Sequence, residues 1–356
     1  MRPDHDPLHP SHDPIRCFVP PHVLDHLVGS HNPAIRRLAT RTRALAASTR
    51  ADRARLAALP VAAAPPPPTA GKRRLVYDIE NALFGLPGRL VRSEGEAPTG
   101  DPAADEAYLH SGTTYDFYRE LFGRNSLDDR GLSLLSSVHF GEGFANAFWN
   151  GEQMLYGDGD GAIFLRFTRA LDVVGHELTH GVVQYECNLE YHDEPGALNE
   201  HFADVFGILV KQWRSGQTAA QADWLVGEEI LGPAVHAKGI RTFRGEKAYV
   251  GDPVLGTDPQ PKHLRDLYNG PEDRGGVHLN SGIPNHAFYR AAIALGGRAW
   301  ETVGWIWYET LKRLGRSSGF REAARASIEV AGWPRGGKVQ QEAVKAAWAA
   351  VGIAVE

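Results

Sequence analysis

Two stretches of this sequence constrain its fold most, because each interleaves an apolar helical repeat with titratable side chains. Leu171, Val174, Leu178, Val182 and Val183 recur at helical spacing, and so do Leu198, Phe202, Val205, Phe206, Leu209 and Trp213. That period belongs to helices packed on a core. The first stretch contains His176-Glu177-Leu178-Thr179-His180 and the second contains Asn199-Glu200 and Asp204. Four residues at about 100° each return His180 to within roughly 40° of His176, one turn along, which suits two ligands of one tetrahedral ion. Glu177 projects beside them, where a carboxylate can take a proton from the attacking water. Read alone, the motif also fits two satisfied core histidines. The second helix turns the reading toward metal. Glu200 and Asp204 stand one turn apart on a stripe expected to face away from the apolar set, so Glu200 can be a third ligand with one position left open, as a catalytic zinc site requires. Asp204 is then placed to accept the other ring proton of a ligand histidine.

The rest of the chain has a mixed character. Leu75-Val76-Tyr77 is strand-like, Gly-Asp-Gly-Asp-Gly at 157–161 is a turn, and the pattern becomes mainly helical after Phe167. The net charge of −5 gives no basic footprint for nucleic acid. No apolar run is long enough to span a membrane. Two cysteines, Cys17 and Cys187, cannot build a disulfide framework, and Cys187 reads as a small buried apolar residue.

Residues 1–70 stand apart. Nine arginines against five aspartates make this leader basic and leave the remainder at −9, so the leader either docks electrostatically on the body or forms a solvated helix and tail. Asn32-Pro33 reads as a helix start, the helix runs to about Leu59, and Pro65 to Pro68 form a spacer suited to cutting. The polar, proline-rich first residues lack the apolar centre of a secretory signal.

Three further blocks resemble the thermolysin family: Asn146-Ala147-Phe148-Trp149-Asn150, the HELTH motif followed by Gly196-Ala197-Leu198-Asn199-Glu200, and Gly275-Gly276-Val277-His278-Leu279-Asn280-Ser281-Gly282. The resemblance spans about 75–356. It implies an α+β, two-domain metallopeptidase with a mixed α/β half at 71–183, a mainly helical half at 184–356, and one zinc ion in the cleft between them. It further implies that His278 and Tyr191 hydrogen-bond the developing oxyanion, that Asp273 orients His278, that Arg241 binds a substrate carbonyl, and that Asn146 with the Ala147 backbone grips the peptide by strand addition. Val173, Val226 and Ile240 match positions of a pocket for a bulky apolar residue just after the cut.

The chain departs from the family at its double calcium site. Asp172, Asp223 and Glu228 keep the acidic type, but Lys211 and Leu225 replace carboxylates. Lys211 is expected to run toward Asp172 and substitute for the ion, with calcium near Asp101 or Asp105 left open. The leader resembles that of the short-leader, protealysin-like subgroup, in which a Pro-Pro segment packs on the catalytic domain; here it is Cys17 to Leu24. Cys17 either offers a thiolate to the open zinc position or sits incidentally in an apolar plug. The expected molecule is a monomeric zinc endopeptidase, latent through its own leader in cis and acting on proteins or peptides. Export by a non-classical route is expected, with a cytoplasmic latent precursor as the alternative. The rival functions are a catalytically silent zinc-binding interaction protein and a zinc aminopeptidase.

Overall fold

The computed structural model describes residues 16–56 and 71–355. The Pro65–Pro68 spacer and the polar first residues lie outside them. Helix α1 (Pro21–Val28) is followed by α2 (Pro33–Leu56), which starts as its sequence dictates, the Asn32 side chain accepting the Ala34 N–H at 2.9 Å. Beyond Leu56 the expected extension of this helix falls outside the described residues.

A six-stranded sheet comprises β1 (Arg16–Cys17), β2 (Arg74–Asp78), β3 (Arg89–Ser93), β4 (Leu134–Val138), β5 (Ala147–Trp149) and β6 (Met154–Tyr156), in the order β1-β5-β6-β4-β2-β3. The strand expected at Leu75–Tyr77 lies within β2. Strands β2, β4 and β6 run parallel, and the remaining pairs are antiparallel. The leader thus supplies an edge strand, with Cys17 opposite Phe148. Helix α3 (Pro102–Phe122) packs on this sheet, capped by Asp101 at one end and closed by left-handed Gly123 at the other.

Helix α4 (Leu171–Glu186) closes the mixed half, and the helical half follows with α5 (Asp193–Ser215), then a two-stranded ribbon of β7 (Leu225–Val226) and β8 (Arg241–Thr242). Five more helices complete it: α6 (Asp273–Asn280), α7 (Gly282–Leu295), α8 (Val303–Leu311), α9 (Phe320–Ala331) and α10 (Lys338–Ala350). The expectation of acid stripes turned away from the core is corrected here. Helix α4 is buried from Asp172 to Val183 and α5 from Gly196 to Val210, so the polar stripes face one another inside the molecule. Close approach depends on glycine. A Cβ on Gly207 would lie 2.5 Å from the Asp172 carbonyl oxygen and one on Gly175 3.1 Å from Gly207 Cα, so a larger residue at either position would push the two helices apart.

The leader packs on the body through its Pro-Pro segment: Phe18, Val19, Val23, Leu24 and Leu27 are buried in the main core, and burial of apolar surface favours that packing. Among the described residues, Arg41 reaches Glu142 of the body at 3.1 Å with both side chains exposed, whereas Arg43 turns back to Asp25 within the leader at 2.7 Å. No helix among the described residues is long and apolar enough to cross a membrane.

Candidate active site

The close α4–α5 contact brings His176, His180 and Glu200 together, their ligand atoms within 4.8 Å of one another. The two Nε2 atoms are 3.1 Å apart, and the Glu200 carboxylate lies 3.6 Å from His176 and 3.4 Å from His180. What the outer ring nitrogens do decides the chemistry. His176 Nδ1 donates to Asp204 at 2.9 Å, and His180 Nδ1 donates to the Asn199 side-chain oxygen at 2.9 Å. The Asn199 amide is oriented by its own donation to the Leu189 carbonyl. With the ring protons fixed outward, both Nε2 atoms present lone pairs to the same point. Glu200 Oε2, fully buried, accepts no hydrogen bond from the described residues. Two converging lone pairs and a carboxylate without a proton between them form the donor set of a cation such as zinc.

Asp204 is the hub behind this group. It accepts from His176, from Arg241 through Nε and Nη2 (2.8 Å at the shorter contact), and from Asn285 at 2.9 Å. Burial alone would raise its pKa, but Arg241 and then His176 outweigh burial and hold the carboxyl well below the usual range. The chain of contacts continues outward. Trp307 Nε1 donates to His201 Nε2 at 2.7 Å, so His201 Nδ1 donates to Asn285, whose amide then points its N–H at Asp204. Burial lowers the His201 pKa to about 4, in keeping with a neutral ring. Asn199 was named in the sequence without a role, and Asn285, His201 and Trp307 were not singled out. Asn199, next to Glu200 on a buried helix, was the one within reach of a local argument.

Glu177 is fully buried on the same helix and its Oε2 accepts the Trp149 N–H at 3.0 Å, which places it against strand β5. His278 stands on α6. Its Nδ1 donates to Asp273 at 2.7 Å and its Nε2 donates to the Cys17 carbonyl at 2.9 Å, so the ring carries both protons. Burial opposes that charge, but Asp273 and Glu200 outweigh it and push the pKa up to about 9. Tyr191 donates its hydroxyl to Glu200 and lies 3.3 Å from His278 Nε2. Arg241, on β8, reaches the same cleft and donates to the Phe18 carbonyl at 3.0 Å, while Asn146 Oδ1 accepts the Val19 N–H at 2.8 Å.

Cys17 is buried, outside any disulfide, and packs with Ile79, Phe140, Phe144, Phe148 and Leu155. Its thiol is not a member of the three-residue metal group; what the cleft receives is its backbone carbonyl. Cys187, buried in the main core, takes the apolar place expected of it. Lys211 corrects one expectation in detail. Its ammonium donates to Asp223 at 3.1 Å and to the Leu225 carbonyl at 3.4 Å, with Glu228 at 4.0 Å. Asp172 is not its direct partner, because that carboxylate accepts the Gly227 and Val173 N–H groups. Burial would lower the Lys211 pKa, yet the field of Asp172 and then Asp223 raises it overall. The oxygens of Asp101 are used by the Ala103 N–H and His139, and those of Asp105 by Arg92, Thr99 and Gly100.

Residues 71–184 match the family described as "Thermolysin metallopeptidase, catalytic domain", and 187–353 match "Thermolysin metallopeptidase, alpha-helical domain". The chain belongs to the thermolysin family of metallopeptidases. It is 46% identical to an "Extracellular metalloprotease" of Pectobacterium carotovorum subsp. carotovorum, over 96% of this chain and 97% of that protein. It is 49% identical to "Protease PrtS" of Photorhabdus sp. (strain Az29), over 72% of this chain and 70% of that one. Among solved structures, the precursor of protealysin, a metalloproteinase from Serratia proteamaculans, matches with a TM-score of 0.85 and 45% identity, over 95% of this chain and all of that one. The thermolysin-like two-domain fold expected from the sequence is therefore present, and the chain is a metalloendopeptidase.

Proposed function

We propose that this chain is a zinc-dependent endopeptidase made as a precursor and kept latent by residues 1–70, with 71–183 and 184–356 as the two halves of the catalytic body. His176, His180 and Glu200 would hold zinc, which when bound polarises the scissile carbonyl and the attacking water. Glu177 accepts the water proton and passes it to the leaving nitrogen. His278, charged and steered by Asp273, and Tyr191 donate to the carbonyl oxygen as negative charge develops there. Asn146, the Ala147 carbonyl and Arg241 hold the substrate main chain. The Ile240 wall and the space over Gly227 favour a bulky apolar side chain after the cut. Lys211 takes the place of a cation among Asp223, Glu228 and Asp172. Substrates would be extracellular proteins or peptides, in line with the relative named as extracellular.

The observation that carries this reading is the pair of Nε2 lone pairs, fixed by Asp204 and Asn199, converging with Glu200 beneath a carbonyl held by His278. A silent zinc-binding protein has no use for Glu177 and a charged His278 at that point. An aminopeptidase would close the cleft beyond the bond, whereas here an extended chain passes through with residues on both sides. The test joins zinc stoichiometry to casein digestion. The wild-type chain should bind one zinc per molecule and lose digestion on chelation, while Glu177→Ala should keep the zinc and lose turnover. A Glu177→Ala protein that digests casein at the parent rate would remove the assigned base.

A further inference from the structure

The leader could block the cleft in several ways: as a wedge, as a reversed strand, or as a substrate. The hydrogen bonds distinguish them. Strand β1 runs antiparallel to β5, and the Phe18 N–H donates to the Ala147 carbonyl at 3.1 Å. The Val19 N–H donates to Asn146 Oδ1 at 2.8 Å, and Asn146 Nδ2 returns to the Val19 carbonyl at 3.3 Å. Arg241 Nη1 donates to the Phe18 carbonyl at 3.0 Å. Every main-chain grip assigned to substrate is thus taken by the leader, and a reversed strand would meet these donors and acceptors with the opposite polarity.

The register follows from the carbonyl under His278. That carbonyl belongs to Cys17, and His278 Nε2 donates to it at 2.9 Å while lying 3.5 Å from Glu200. The next side chain, Phe18, is fully buried against the His176 ring at 5.2 Å between centroids, with the Arg241 guanidinium 4.6 Å from its own. Gly227 makes room for it: a Cβ there would meet the Phe18 ring at 2.9 Å and Ile240 at 3.0 Å. An aromatic ring therefore fills the pocket immediately after the carbonyl that His278 addresses.

We propose that the leader is a substrate held in cis, with Cys17–Phe18 presented as the bond to be hydrolysed. Water adds its oxygen to the Cys17 carbonyl carbon, the bond to the Phe18 nitrogen breaks, and a water proton ends on that nitrogen. The products are a Cys17 carboxylate and a chain beginning at Phe18. Val19, Val23, Leu24 and Leu27 stay anchored in the core, so this cut severs residues 1–17 and leaves Phe18 seated. The proposal rests on the endopeptidase reading above and adds to it the bond and the intramolecular route.

The test uses the full chain, purified metal-free and then given zinc at two widely separated protein concentrations. Intact mass and N-terminal sequencing are followed beside digestion of an added peptide. The expected first product starts at Phe18, forms with the same rate constant at both concentrations, and is missing in Glu177→Gln. A chain that digests the added peptide while its first new N-terminus lies elsewhere, or forms in proportion to concentration, overturns the proposed register and leaves the endopeptidase reading standing. A chain that cuts neither itself nor the added peptide overturns both. A second readout needs no turnover. In the metal-free chain the Phe18 and Val19 amides should be protected from hydrogen exchange, and Asn146→Ala should speed exchange at Val19 by about tenfold. Exchange at the rate of an open chain in the parent also overturns the register.

Discussion

At the scale of single residues, Asp204 shows how much of the proposed metal site lies behind the residues that would hold the ion. It fixes the His176 tautomer and neutralises a fully buried Arg241. Asp204→Asn keeps the shape but leaves that guanidinium without its counter-charge. Removing one partner of a buried pair costs about 3–5 kcal/mol, and losing the carboxylate behind a ligand histidine weakens metal binding by roughly 10–100-fold. Urea unfolding and a zinc competition titration should show both losses, and unchanged zinc affinity would remove Asp204 from the site. That His176, His180, Glu200 and Asp204 would meet was legible in the sequence because a helix converts four-residue spacing into one face. Asn285 and Trp307 were not, since a lone asparagine or tryptophan far along the chain has no periodicity to betray it. Phe18 was read as part of an apolar plug, but its register against Ala147 depends on a strand pairing that no local pattern records.

At the scale of elements, charge sits where segments must be joined. Lys211, near the end of α5, reaches toward β7 and the acids after it. That Lys211 would meet acids was legible in the sequence but not which acid, because Asp172 is taken by the backbone N–H groups of Gly227 and Val173. Lys211→Glu should be less stable than the parent by about 1–3 kcal/mol, as a partly buried pair becomes a repulsion. Added calcium should raise the Tm of the zinc-loaded variant more than that of the parent, and equal shifts would detach Lys211 from any cation-like role. His139 joins two other elements, bridging Asp101 at the start of α3 and Asp158 in the glycine-rich turn. Hydrogen bonding to Asp158, against some burial, raises its pKa to about 9. A raised histidine pKa stabilises fully below the unfolded value of about 6.5, and the benefit fades as pH climbs through about 9. His139→Gln should therefore cost about 1 kcal/mol near pH 6, discounted for partial exposure, and almost nothing near pH 10. Equal costs at both pH values in denaturant titrations would contradict the bridge.

At the scale of the whole molecule, the change from a mixed half to a helical half was readable because hydrophobic period changes with secondary structure. How the leader is held was readable only in part: the Pro-Pro segment read as packing on the body, but composition reports charge and does not say how charge and packing share the contact. Its surplus of arginine suggested docking by long-range attraction, yet Phe18, Val19, Val23, Leu24 and Leu27 are buried among body residues and Arg41–Glu142 is exposed on both sides. These two modes respond oppositely to salt. Screening shortens the Debye length from about 14 Å near 0.05 M to about 3 Å at 1 M, which would release an electrostatically held leader. Apolar burial gains slightly under a strongly hydrated salt such as sulfate. Latency, read as resistance of an added peptide to digestion by the freshly zinc-loaded chain, should persist at high salt. Leu27→Ala should weaken it at every salt concentration, since deleting a buried leucine side chain costs about 2–5 kcal/mol. A leader released by about 1 M sodium chloride, with Leu27→Ala no different from the parent, would return the weight of docking to the arginines.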